Sequence, residues 1–191
     1  MSKMLVIDTE TGGLDPTRHS ILSVGLVVWH DGAVEVAEEI HIAEPEMVVE
    51  PEAMEINEID TRWLARNGLP PARAVGRIEQ VITTSFPIER DPKVPVAGHN
   101  VHFDVAFIRR LYSLAGLIQG PRFAHRLLDT ASVLKFLALA GLITESATSS
   151  THAFKHFAIE FAPGERHSAL ADALATAELL TRTLELVRNH Q

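Results

Sequence analysis

The chain contains no cysteine, which excludes disulfides and thiolate sites and fits a reducing, cytoplasmic setting. It also lacks a long hydrophobic run. The apolar stretch near the N-terminus meets Asp8 within a few residues, too soon for a signal-peptide core or a membrane span. Positive charge is scarce: 17 Lys and Arg face 25 Asp and Glu, for a net charge of −8. Phosphate neutralisation drives duplex binding, so a protein that wraps a duplex is normally basic. The acidity therefore argues against long duplex partners and is neutral for a protein that holds only a strand end. No repeat or low-complexity linker is visible, and one domain over residues 1–191 is expected. Hydrophobic residues make up 46% of the chain, enough for a soluble domain with a real core.

Residues 4–8 form a continuous apolar run that reads as a buried strand, and 21–29 form a second, rich in Val, Ile and Leu. Residues 33–42 alternate more loosely. Asp31-Gly32 supplies a turn, so the second and third strands form a hairpin. Residues 44–60, with Pro45, Pro51 and many carboxylates, read as a surface excursion with a short helix. Val75, Ile78, Val81 and Ile82 recur at helical spacing within 73–86. A short strand at 94–98 precedes a helix at 103–115. Further helices are expected at 130–140 with Asp129 as N-cap, at 152–157, and at 168–187. The last carries a stripe of Leu170, Leu174, Ala177, Leu180 and Leu184. Early strands followed by alternating helices point to an α/β domain with one mixed sheet.

Five residues in three stretches stand out. Asp8 and Glu10 are two apart, so a strand that persists to Glu10 projects both to one face. Adjacent carboxylates repel, and hard divalent cations such as Mg²⁺ or Mn²⁺ relieve that repulsion. Taken alone, the pair is equally a strand end at the surface. Asn100 and Asp104 are four apart and fit one helix face. Asp104 falls near the carboxyl end of a strand, where open α/β sheets place ligands, or is simply a first-turn carboxylate favoured by the helix dipole. His167 precedes the longest helix, with Ser168 as N-cap and Asp172 in its first turns. A hydrated loop His, of pKa about 6.5, suits a base acting on a metal-polarised water, or is an ordinary surface residue. His152 and His156 share a helical spacing without a completing ligand. Arg109, Arg110 and Arg166 read as solvated charge, and Trp63 as packing.

As a set, these stretches resemble the DEDDh group of 3′–5′ exonucleases. Asp8, Glu10, Thr11 and Gly12 match its first motif. His99, Asn100, Phe103 and Asp104 match the second, and His167, Ala169, Leu170, Asp172 and Ala173 the third. Leu128-Asp129-Thr130 resembles a further landmark. The resemblance implies a ribonuclease H-like fold, a mixed five-stranded sheet flanked by helices. It implies two Mg²⁺ or Mn²⁺ ions, with Asp8 bridging both, Glu10 and Asp172 holding the ion that binds the attacking water, and Asp104 supporting the second. His167 would be the general base, and nucleoside 5′-monophosphates the products. Thr11, Gly12 and Leu14 would grip the 3′-terminal nucleotide, with Asn100 and Phe103 beside it. Phe103 is equally a core residue. The chain departs from a Thr-Thr-Gly-Leu pattern in having Gly12 where the second Thr stands. Single-stranded DNA and RNA ends both remain open as substrates. The resemblance extends to proofreading and ribonuclease T-like enzymes. It therefore implies possible polymerase or repair partners in DNA replication or repair, and leaves open a subunit whose main role is binding. The sequence stops just after its last helix, so a stand-alone enzyme is expected, or one that meets its partner through its folded surface.

Overall fold

The computed structural model describes residues 3–90, 92–161 and 168–190. A five-stranded sheet has the order β3-β2-β1-β4-β5. β1 (Lys3–Thr11), β2 (Ile21–His30) and β3 (Ala33–His41) form an antiparallel meander. β4 (Val96–Gly98) runs parallel to β1, and β5 (Leu128–Asp129) parallel to β4. The expected hairpin turn is present: Asp31 and Gly32 both take positive φ. The carboxyl ends of β1, β4 and β5 share one edge, the site that open sheets offer to ligands.

β1 extends three residues past its apolar run because Glu10 and Thr11 still pair with β2. The alternation in β1 separates two packing layers. Leu5 and Ile7 join Val24, Leu26 and Val28 against α3 (Pro71–Ser85) and α4 (His102–Leu114), where Val75, Ile78, Phe107, Ile108 and Leu111 are buried. Val6, Val27, Trp29 and Ala97 face α7 (Ala169–Arg188) through Ala173, Ala177 and Leu180. Each fully buried Leu or Ile contributes on the order of 2 kcal/mol. The expected stripe on α7 packs as read, since Leu170, Leu174 and Leu184 lie against this cluster. A second α7 stripe, Ala175 and Leu179, meets Leu134 and Leu137 of α5 (Thr130–Leu139) and Phe154 of α6 (Ser150–His156).

Caps fix the helix starts. Asp129 accepts from Ala131 N–H and Ser168 from Ala171 N–H, as the sequence indicated. The excursion at 44–60 contains α1 (Pro51–Asn57), and α2 (Thr61–Asn67) follows it, capped by Asp60. Buried Glu44 anchors this region. It receives a bidentate pair from Arg110 of α4 at 2.5 and 2.9 Å, and also the Ser20 hydroxyl and Ile21 N–H. Arg110 is therefore a structural partner rather than solvated charge.

Candidate active site

The ladder sets the first two carboxylates. Asp8 pairs with Gly25 and Glu10 with Ser23, so both side chains leave the α7 face of the sheet. α7 can approach closely there because residue 25 is glycine: a Cβ at that position would lie 2.1 Å from Ala169 O. That approach delivers Asp172, one turn into the helix. Asp8, Glu10 and Asp172 each offer a carboxylate oxygen, and these atoms lie within 4.8 Å of one another. All three are partly buried.

Crowding acids in a partly buried pocket raises their proton affinity. The Glu10 carboxyl is pushed up to about 8, first by burial, then by Asp172, Glu39 and Asp104. Glu39 is an acid that the motifs do not contain. It reaches the group because β3 continues the row Asp8, Gly25, Glu39 across the sheet. The next row runs Glu10, Ser23, His41, and among the described residues the buried Ser23 hydroxyl has no hydrogen-bond partner.

Asp104 stands apart from the trio. It is 3% exposed at the start of α4 and accepts a 2.7 Å bond from the Thr9 hydroxyl. Burial pushes its proton affinity up, and the Thr9 bond opposes that shift. Asn100 differs from expectation: it precedes α4 and adopts a left-handed φ of 57°, so it shares no helix face with Asp104. Asp129 stabilises that conformation by accepting the Asn100 N–H at 2.8 Å. Beside it, His99 approaches the Thr130 hydroxyl at 3.1 Å, and burial lowers its proton affinity. Phe103 is half-buried and packs on Phe107 at 4.9 Å between ring centres, against the α3–α4 core.

The turn after β1 is tightly bound. Gly12 N–H donates to Ser20 O at 2.7 Å, and Gly12 O accepts from Glu50 N–H at 2.6 Å. A Cβ at residue 12 would lie 2.5 Å from Val48 O, so this backbone approach accounts for glycine where the family pattern has Thr. The Gly12 N–H is therefore engaged within the protein. Thr11 is buried, with its hydroxyl on Gly13 O, whereas Leu14 is 81% exposed. His167 lies outside the described residues. His152 and His156 join no group of metal-ligating side chains among the described residues. Trp63 is 43% exposed, with an edge contact to His41, so it is only partly a packing residue. Thr9, Glu39 and Ser23 were not indicated by the motifs. Only the strand register, which places Glu39 and Ser23 beside the two acids, could have found those two, and nothing local marks Thr9.

Known proteins resemble this chain in sequence and in fold. A family model described as an exonuclease, of RNase T type, matches residues 5–180. Ribonuclease T of Wigglesworthia glossinidia brevipalpis is 27% identical over 181 residues, covering 92% of this chain and 81% of that protein. Ribonuclease T of Yersinia enterocolitica is 28% identical with the same coverage. Among solved structures, E. coli exonuclease I in complex with a dT13 oligonucleotide superposes with a TM-score of 0.74 at 21% identity. The match covers 99% of this chain and 43% of that one, so the chain spans under half of exonuclease I. The nuclease domain of 3′hExo, a DEDDh family member bound to rAMP, superposes with a TM-score of 0.74 at 15% identity. That match covers 96% of this chain and 92% of that domain. These superpositions share the ribonuclease H-like sheet. Among the described residues no helix is long and apolar enough to cross a membrane.

Proposed function

The chain belongs to the RNase T exonuclease family and is a 3′–5′ exonuclease of the DEDDh superfamily, and from that premise we propose that it trims single-stranded DNA or RNA 3′ ends to nucleoside 5′-monophosphates. In this reading the 191 residues act as one nuclease domain in the cytoplasm. The observation that carries the proposal is the convergence of Asp8, Glu10 and Asp172. Three carboxylates and no sulfur ligand make a hard donor set, suited to Mg²⁺ or Mn²⁺. Burial raises the proton affinity of Glu10 most; Asp172, Glu39 and Asp104 add to that rise, and their negative field is what attracts a cation. These residues with Asp104 would hold two divalent ions, which would supply charge for the transferring phosphate and acidity for the attacking water.

The chain's own groups do the rest. Asp8, Glu10 and Asp172 hold the charge in place on rigid elements, a strand and a helix. Asp104, kept in orientation by Thr9, completes the acidic wall from α4. His167 directly precedes the cap of the helix that carries Asp172, and its imidazole takes the proton from the attacking water. Thr11 and Gly12 shape the turn that receives the terminal nucleotide. Exposed Leu14 offers an apolar surface to its base, with Asn100 and Phe103 as further contacts to the nucleotide.

Labelled DNA and RNA oligonucleotides with free or 3′-phosphorylated ends, incubated with Mg²⁺, Mn²⁺ or EDTA, test the proposal. Release of mononucleotides from free ends, only with metal, is expected. Equal cutting of blocked ends would refute the end-directed reaction.

A further inference from the structure

We infer that His19 is a positioning residue for the 3′-end grip, a buried wedge that sets the spacing between the turn at 12–14 and the chain leading into α1. The inference rests on the assignment of terminal-nucleotide binding to Thr11, Gly12 and Leu14. His19 is 3% exposed although Thr17 and Arg18 beside it are exposed. Its own N–H donates to Asp15 O at 2.8 Å, and its Nδ1 accepts the Asp15 N–H at 3.0 Å. With Nδ1 an acceptor, the ring proton resides on Nε2. Nε2 lies 3.0 Å from Glu50 Oε1, at ion-pair distance though not aligned as a hydrogen bond.

The ring fills the space beside Gly13. A Cβ there would lie 2.5 Å from Nδ1, 2.7 Å from Cγ and 2.8 Å from Cε1 of His19, and these are its three nearest atoms. Gly13 is not among the glycines of positive φ, so the imidazole and not the backbone conformation demands glycine. Glu50, at the other end of the wedge, is tied to the same turn through its N–H on Gly12 O. Asn57, at the far end of α1, donates to Thr11 O at 3.1 Å. The turn is thus lashed to α1 at both ends, with His19 as the spacer that keeps them apart.

A double-mutant cycle of Gly13→Ala and His19→Ala tests this, read as KM and kcat on a single-stranded oligonucleotide with a free 3′ hydroxyl. Gly13→Ala alone forces the ring aside, and an increase in KM of about tenfold with kcat within about threefold is expected. In the His19→Ala background the methyl has room, and the same substitution is expected to cost less than about twofold. Multiplicative effects on KM would overturn the inference, because they would mean that the ring and residue 13 act independently. Mn²⁺ affinity, measured by calorimetry, is expected to stay within about twofold in all variants. A parallel loss of Mn²⁺ affinity would place the effect at the acidic cluster and also overturn it. His19→Ala alone is expected to raise KM, and His19→Gln, which keeps an acceptor for Asp15 and a donor toward Glu50, to reverse most of that rise; no recovery would count against the wedge. Wild-type KM on 3′-hydroxyl and 3′-phosphate ends separates the two readings. If the wild type does not distinguish them, the grip assignment fails, whatever the cycle shows.

Discussion

Glu10→Gln should stabilise the metal-free protein at alkaline pH while destroying its response to metal. The Glu10 carboxyl rises from an ordinary 4.5 to about 8 in the fold. A raised carboxyl binds its proton more tightly folded than unfolded. Folding is therefore unpenalised below pH 4.5 and loses stability as pH climbs from there through 8. At 1.36 kcal/mol per pH unit the loss at pH 8 approaches about 4 kcal/mol; relaxation of the neighbouring acids reduces it to about 2–4 kcal/mol. At pH 5 the loss is under about 1 kcal/mol. Gln carries no such penalty. The assay is thermal unfolding in EDTA at pH 5 and pH 8, followed by Mn²⁺ titration. The two proteins should melt together at pH 5, and at pH 8 the variant should melt roughly 5–12 °C higher. Mn²⁺ should raise the melting temperature of the wild type and leave the variant nearly unmoved. A variant less stable than the wild type at pH 8 would show that Glu10 is well satisfied without a cation, and the reasoning would fail.

His167→Ala should lower turnover about 10²–10⁴-fold while calorimetric Mn²⁺ affinity is retained, whereas wild-type turnover would reject the base assignment. Thr9→Val strips the donor from buried Asp104 and should cost about 1–3 kcal/mol in urea unfolding. An unchanged midpoint would mean that the bond contributes nothing. Gly25→Ala should push α7 off the sheet and weaken Mn²⁺ binding. Gly76→Ala, exposed on α3 with nothing within 4 Å of its Cβ, should instead stabilise the fold by about 0.5–1 kcal/mol. Equal effects of the two in Mn²⁺ calorimetry would contradict the close-approach argument.

Much of this was legible in the sequence because it is local. The apolar runs of β1 and β2, the helical stripe of α7 and the caps Asp129 and Ser168 all depend on neighbours in sequence. The end of β1 was not, since Thr9, Glu10 and Thr11 have no apolar pattern and are held in the strand by β2. α2 was missed because only Leu64 of its seven residues is buried; the Asp60 cap was its one local signal. Asn100 misled because its i, i+4 spacing to Asp104 says nothing of a left-handed turn imposed by Asp129, 29 residues away. The bond between Thr9 and Asp104 spans 95 residues, and the wedge made by His19 depends on a close approach to Gly13. Such contacts arise from tertiary packing and leave no periodic mark. Three motifs in order revealed the family, whereas the supports around them required coordinates.

Anomalous diffraction from crystals soaked in Mn²⁺ with a nucleoside 5′-monophosphate is the most direct test of whether the pocket between β1 and α7 is a cation site. Manganese peaks within coordination distance of Asp8, Glu10 and Asp172 are predicted, with nucleotide phosphate oxygens completing the shell. Bound nucleotide with no manganese at those carboxylates would contradict the account.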